Sequence, residues 1–289
     1  MTNPISRLEN SHTLPPVTGS PLKVGDGFTG LGFRYTQFSG AMDPMIMVDH
    51  YTMTSSTFGV HPHAGISAVS ILFEDTDGEF NNRDSLGSNF DIHAGDLFWL
   101  NAGSGALHDE APRADAKIHG LQVFVNLPAR LKHEAPSSFY VKHQDMPILE
   151  GSGYRVRLML GQSNQVSLGI ESVWPFTILD GYVDVDSTFK HAIEQGFNVW
   201  LYAVGDTIEY QLNGEWFSLL QGESVAIGET QQATLSIRGS LNTRSHFVVL
   251  SGEIINEKFV QKGPFAMSTE QENDEVMARY QAGELGQLS

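Results

Sequence analysis

The chain has no cysteine. That excludes disulfides, thiolate metal sites and cysteine nucleophiles, and it is compatible with a reducing compartment. Basic residues are scarce: 17 Lys and Arg stand against 34 Asp and Glu, for a formal net charge of −17. Nucleic-acid affinity rests largely on cationic contacts to phosphate, so direct binding to nucleic acid is not expected. Binding to an anionic membrane surface is not expected either, and the simplest reading of the acidity is solubility. No apolar run is long enough to span a bilayer, and Met1 to Glu9 lacks the cationic start and apolar core of a secretory signal. The expectation is a soluble, cytoplasmic protein.

Glycine, by contrast, is frequent, with 29 among 289 residues, and 40% of the chain is apolar. This suits a globular all-β protein with many turns and enough length for two domains. Met1 to Thr18 is polar and reads as an arm. Met45 to Val48, Ala68 to Phe73, Leu97 to Leu100 and Ile118 to Val125 read as strands, separated by turns such as Asp75-Thr76-Asp77-Gly78 and Asn101-Ala102-Gly103-Ser104-Gly105. Short strands at about ten-residue spacing predict a β-sandwich or barrel. Asn126 to Gly153 reads as the connection to a second half, in which strands resume at Tyr154. At the end, Thr269-Glu270-Gln271-Glu272 fits a capping box, and Val276, Met277 and Tyr280 share a helical face. A short C-terminal helix is expected from about Thr269 to Gln281.

The two halves repeat in outline. Gly78 is followed by Gly95-Asp96 after 17 positions, and Gly205 by Gly222-Glu223 after the same interval. The expected division is an N-terminal barrel over 1–135 and a C-terminal barrel with the helix over 136–289.

Strand alternation places residues i and i+2 on one face. His61 and His63 therefore share a face, as do His108 and Glu110. If these strands line one barrel, three imidazoles and a carboxylate converge, a donor set suited to a divalent first-row transition metal. In the repeat register, Thr188 and Lys190 take the places of His61 and His63, and Leu235 and Ile237 those of His108 and Glu110; a register slipped by one residue brings in His191, next to Lys190, and still gives no four-ligand set. The second barrel is therefore expected to be metal-free. His93 reads as an exposed turn residue and His119 as a hydrogen-bonded structural one. Asp43, Asp49 and His50 read as a loop cluster, and Arg83-Asp84 as a turn pair. Phe98, Trp99, Phe124 and Trp200 read as core residues, with the option of lining a pocket for a flat aromatic molecule.

Several stretches carry a resemblance: His61-Pro62-His63-Ala64-Gly65, Arg83-Asp84-Ser85-Leu86-Gly87, Gly95-Asp96 to Glu110, Gly120 to Pro128, and Gly263-Pro264-Phe265-Ala266-Met267. Over about Gly40 to Gly283 the chain resembles the pirin family of the cupin superfamily. The resemblance implies two tandem cupin barrels (a bicupin), with metal held only in the first by His61, His63, His108 and Glu110. Iron, as Fe2+, is the metal it implies, with Ni2+, Co2+, Mn2+ and Cu2+ as alternatives. Three positions depart from the family pattern. Ala64 and Ser67 stand where Arg and Glu are usual, and Ser104 stands where Arg is usual.

Family members include quercetin 2,3-dioxygenases, which open flavonols with O2 and release carbon monoxide, and nuclear transcriptional cofactors. Two functions are thus implied. One is an iron-dependent oxidoreductase acting on a small flavonol-like aromatic substrate and O2, with Glu110 as both metal ligand and catalytic base. The other is a non-catalytic, redox-responsive protein that binds a protein partner.

Overall fold

The computed structural model of the chain describes residues 14–228, 232–240 and 244–288. Residues 1–13 of the expected N-terminal arm lie outside that range. The fold is two tandem cupin jelly-rolls with one C-terminal helix.

Each barrel pairs a four-stranded sheet with a seven-stranded one. In the first, the small sheet runs in the order His61–His63, Ala106–Pro112, Phe80–Asp84, Asn89–Ile92. In the second, the matching order is Thr188–Ile193, Ala233–Gly239, Ile208–Leu212, Glu215–Leu219.

The two large sheets pack face to face, and period-two alternation makes that possible. In Ile118–Asn126, Leu121, Val123 and Val125 point to the seam between barrels. Gln122 and Phe124 point into the first barrel. In Phe197–Gly205, Trp200 and Tyr202 face the seam, while Val199, Leu201 and Ala203 fill the second barrel. Phe33 meets both Trp200 and Tyr202 edge-on at 5.3 Å across the seam. This shared core is the largest apolar cluster among the described residues, and its burial is the main force joining the halves.

The large sheets also trade edges. Val17–Thr18, from the start of the chain, pairs with Glu223–Ile227 of the second barrel. Ser137–Val141, from the connecting stretch, pairs with Leu97–Asn101 of the first. Both edge strands gain hydrogen-bonding partners in this way.

The repeat register slips by one residue at the first strand of the second small sheet. Thr188 and Lys190 are exposed, whereas Phe189, His191 and Ile193 point inward. A one-residue slip reverses every side chain of a strand. Leu235 and Ile237 do point inward, opposite His191 and Phe189. The interior of the second barrel is thus filled by apolar side chains, with His191 Nδ1 2.9 Å from Ser163 Oγ.

The helix spans Glu270–Gln281 and is N-capped by Thr269, whose side chain accepts from Glu272 N at 3.1 Å. Its buried Val276 packs on the first barrel, where it joins Phe265 and Met267 of the preceding strand and Leu285 beyond the helix in covering Ala64. Among the described residues no helix is long and apolar enough to cross a membrane.

Candidate metal centre

His61 and His108 are direct cross-strand partners, and His63 follows two positions along on the same face. Their ligand atoms all lie within 4.8 Å of one another. His108 Nε2 stands 2.9 Å from both His63 Nε2 and His61 Nε2. The outer nitrogens explain this inward aim. His61 Nδ1 donates to Gly59 O at 2.8 Å, and His63 Nδ1 to Pro264 O at 3.3 Å. A carbonyl only accepts, so both rings keep the proton on Nδ1 and turn the Nε2 lone pair inward.

Burial keeps these rings neutral. It lowers His61, takes His63 down to about 3 and holds His108 well below the usual imidazole range. Neutral lone pairs crowded at one point repel each other unless a cation lies between them. The donor set and its orientation therefore fit a divalent metal.

Glu110 stands outside this three-histidine cluster but lines the same cavity. Its Oε1 accepts from Ser70 Oγ at 2.6 Å. Burial raises its pKa to about 7, with the Ser70 bond opposing that rise.

The cavity above the histidines has a volume of about 310 Å³. Its walls are largely aromatic, with Phe28, Tyr51, Phe58, Phe80 and Phe124. Phe124 meets His63 edge-on at 5.0 Å. Gln261, Gly263 and Pro264, from the segment before the helix, form part of the wall.

Behind the site, Lys132 is 1% exposed. Its Nζ donates to Gly65 O at 2.8 Å, to Ala266 O at 2.6 Å and to Asn126 Oδ1 at 2.5 Å. It thereby ties the turn after His63 to the C-terminal segment.

The remaining residues singled out in the sequence lie elsewhere. His93 is exposed and 3.9 Å from Glu79. His119 bonds Asp75 at 2.7 Å and His50 at 2.7 Å. Phe98, Trp99 and Trp200 are core residues, and Phe124 alone of that group lines the cavity. Arg83 pairs with Asp109, and Asp84 caps Leu86 N and Ser88 N.

Asp49 and His50 need correction, for they stand on the long strand Met45–Met53 and not in a loop. Asp49 faces the cavity and is paired with Arg34, while His50 faces the seam and meets Tyr202. Met47, Asp49, Tyr51 and Met53 all line the cavity, so alternation along this stretch carried the missing signal. For Pro264 and Lys132 no local signal exists. The three departures from the family pattern, Ala64, Ser67 and Ser104, do not line the cavity. Ser104 instead gives its carbonyl to Arg279 at 2.9 Å.

Comparison with known proteins agrees with this architecture. The protein-family model Pirin matches residues 32–125, and that of the Pirin C-terminal cupin domain matches residues 178–286. Pirin of Rattus norvegicus is 27% identical over 263 residues, covering 89% of each chain. A pirin-like protein of Arabidopsis thaliana is 30% identical over 257 residues, covering 85% of this chain and 78% of its own. Among solved structures, a quercetin 2,3-dioxygenase from Acinetobacter baumannii has a TM-score of 0.82 at 23% identity, covering 95% of this chain and 98% of its own. The bacterial pirin YhhW of Escherichia coli, in complex with nickel(II), has a TM-score of 0.61 at 17% identity, covering 82% and 96%. With both halves matched in order around one three-histidine centre, the chain belongs to the pirin family.

Proposed function

We propose that the protein is a metal-dependent dioxygenase of quercetin 2,3-dioxygenase type, with Fe2+ as the resident metal. The observation that carries this reading is the convergence of three inward-aimed imidazoles at the floor of an aromatic-walled cavity that Glu110 also lines. His61, His63 and His108 would hold the metal, with Glu110 as the fourth ligand. When bound, the metal supplies Lewis acidity and a template for O2 next to the substrate.

The chain's own residues do the rest. Phe28, Phe58 and Phe124 offer faces to a flat ring system and exclude water from it. Ser70 fixes one carboxylate oxygen of Glu110. Held by Ser70, Glu110 is the cavity carboxylate placed to take the proton of a flavonol hydroxyl. The net reaction adds O2 to the flavonol and expels carbon monoxide. Mass spectrometry of the product tests this directly: it is expected to be heavier by O2 and lighter by CO. Unaltered quercetin after prolonged incubation with Fe2+-loaded protein would contradict it.

A second reading, a redox-responsive interaction protein, draws on Phe58 and Val60, which are 51% and 47% exposed beside His61. A protein of that kind changes its affinity for a partner on metal oxidation and leaves quercetin unchanged.

A further inference from the structure

Tyr51 lies on the cavity face of the strand Met45–Met53 and is 3% exposed. Its ring stacks on Phe28 at 5.4 Å and meets Phe80 at 6.5 Å. Its hydroxyl is buried and has no hydrogen-bond partner among the described residues. The strand register gives a reason. The residues paired with Tyr51 on both neighbouring strands are glycines, Gly30 and Gly120. Neither directly paired residue has a side chain that could accept its proton. Buried hydroxyls in native proteins are nearly always bonded, so this one has a partner to find. The cavity that the residue lines is where such a partner can enter.

The geometry points to Tyr51 as the anchor for a ligand oxygen: its O–H donates to a carbonyl or phenol oxygen of a flat aromatic molecule in the cavity. The ligand class rests on the flavonol reading above, and Tyr51 adds a specificity determinant to it. Of the other polar groups of the cavity, Glu110 acts on Tyr51 only through its charge, with no hydrogen bond between them, and its Oε1 is held by Ser70. Gln122 Nε2 donates to Val69 O at 3.2 Å, and Asp49 is paired with Arg34. Phe28, Phe58 and Phe80 offer only ring faces. A donor left free by the protein favours ligands that carry the matching oxygen. It disfavours analogues without one, because the hydroxyl then stays unpaired.

Tyr51→Phe removes one oxygen and keeps the ring. The full chain, loaded with Fe2+ under anaerobic conditions, is titrated with quercetin by quenching of tryptophan fluorescence, alongside thermal melting and metal analysis. The variant is expected to bind quercetin about five- to tenfold more weakly, the equivalent of one neutral hydrogen bond. Its Tm is expected to match or exceed that of the wild type, because no internal bond is lost, and its metal content to be unchanged. In steady state the loss falls on KM and spares kcat. An unchanged Kd overturns the proposal, and so does a lowered Tm, which would reveal a structural bond. If the wild-type protein takes up metal yet binds no quercetin, the flavonol reading itself fails, and the ligand class assigned to Tyr51 fails with it.

Discussion

His63 donates through Nδ1 to the carbonyl of Pro264 at 3.3 Å, a partner 201 residues further along the chain. One of the three converging imidazoles of the first barrel is therefore oriented by a segment that follows the second. The same segment pairs Ala266 N with Ala64 O at 3.0 Å and lines the cavity through Gln261, Gly263 and Pro264. The metal centre thus depends on the whole chain, and its outer contacts are open to mutation without touching a ligand.

Gly65 is the tightest point of that contact. It sits at φ +73°, and a Cβ placed there would stand 2.2 Å from Ala266 O and 2.7 Å from Met267 Sδ. Gly65→Ala is expected to cost about 2–4 kcal/mol and to loosen His63. Thermal melting and a competitive Fe2+ titration should both report the loss. Metal affinity equal to that of the wild type would show that the C-terminal segment does not orient His63.

Lys132 is the second fastening. Replacing it by Met leaves Gly65 O, Ala266 O and Asn126 Oδ1 without their buried donor. A loss of about 3 kcal/mol is expected, readable as a drop of roughly 6–12 °C in Tm. A drop within about 1 °C would mean that water replaces the ammonium without cost.

Glu110 is assigned the proton transfer. Glu110→Gln is expected to lower kcat about 10²- to 10⁴-fold and to change KM far less. Burial raises the Glu110 carboxyl to about 7 and a bound cation opposes that rise; the group works as a base only when ionised, so kcat/KM should climb with pH on the acid side of 7. Ser70 stabilises the ionised form. Ser70→Ala should therefore move the acid limb of the profile to higher pH. Full turnover by Glu110→Gln would remove the residue from this role.

On the seam, His50 Nδ1 lies 2.6 Å from Tyr202 Oη, and His50 Nε2 lies 2.7 Å from His119 Nε2. Burial first, then the charges of His119 and His246, lower its pKa to about 3. An unfolded histidine titrates near 6.5, so the folded state holds fewer protons between these values. The stability that His50 contributes is present above about pH 6.5 and is lost as pH falls towards 3. Melting curves of His50→Asn should show a shallower decline of Tm from pH 6.5 to 4 than the wild type, together with a lower Tm at neutral pH. Identical slopes would place the acid sensitivity elsewhere.

Much of this architecture is legible in the sequence because it follows from local periodicity. Histidines at i and i+2 face the same way on any strand, so His61 and His63 declare their shared face, and family-specific stretches carry the two-barrel fold. The helix is equally local, with Thr269 as its cap and Gly283 beyond its end. What the sequence hides is set by distance along the chain. Nothing near His63 points to Pro264, and nothing near Lys132 points to Gly65. Asp49 and His50 look like a polar loop because the strand turns a carboxylate towards the cavity and an imidazole towards the otherwise apolar seam, which breaks the usual apolar alternation. The register of the second barrel fails by one residue for a related reason. A repeat interval fixes spacing, while the facing of a strand changes with every single residue.

The proposed function makes three histidines and Glu110 an O2-using centre for a flavonol. Its most direct test is oxygen uptake by anaerobically Fe2+-reconstituted protein on addition of quercetin, with His61→Ala as control. The predicted result is rapid uptake, one O2 per quercetin consumed, abolished by His61→Ala. Stoichiometric iron binding with no oxygen consumed by the wild-type protein would contradict the claim.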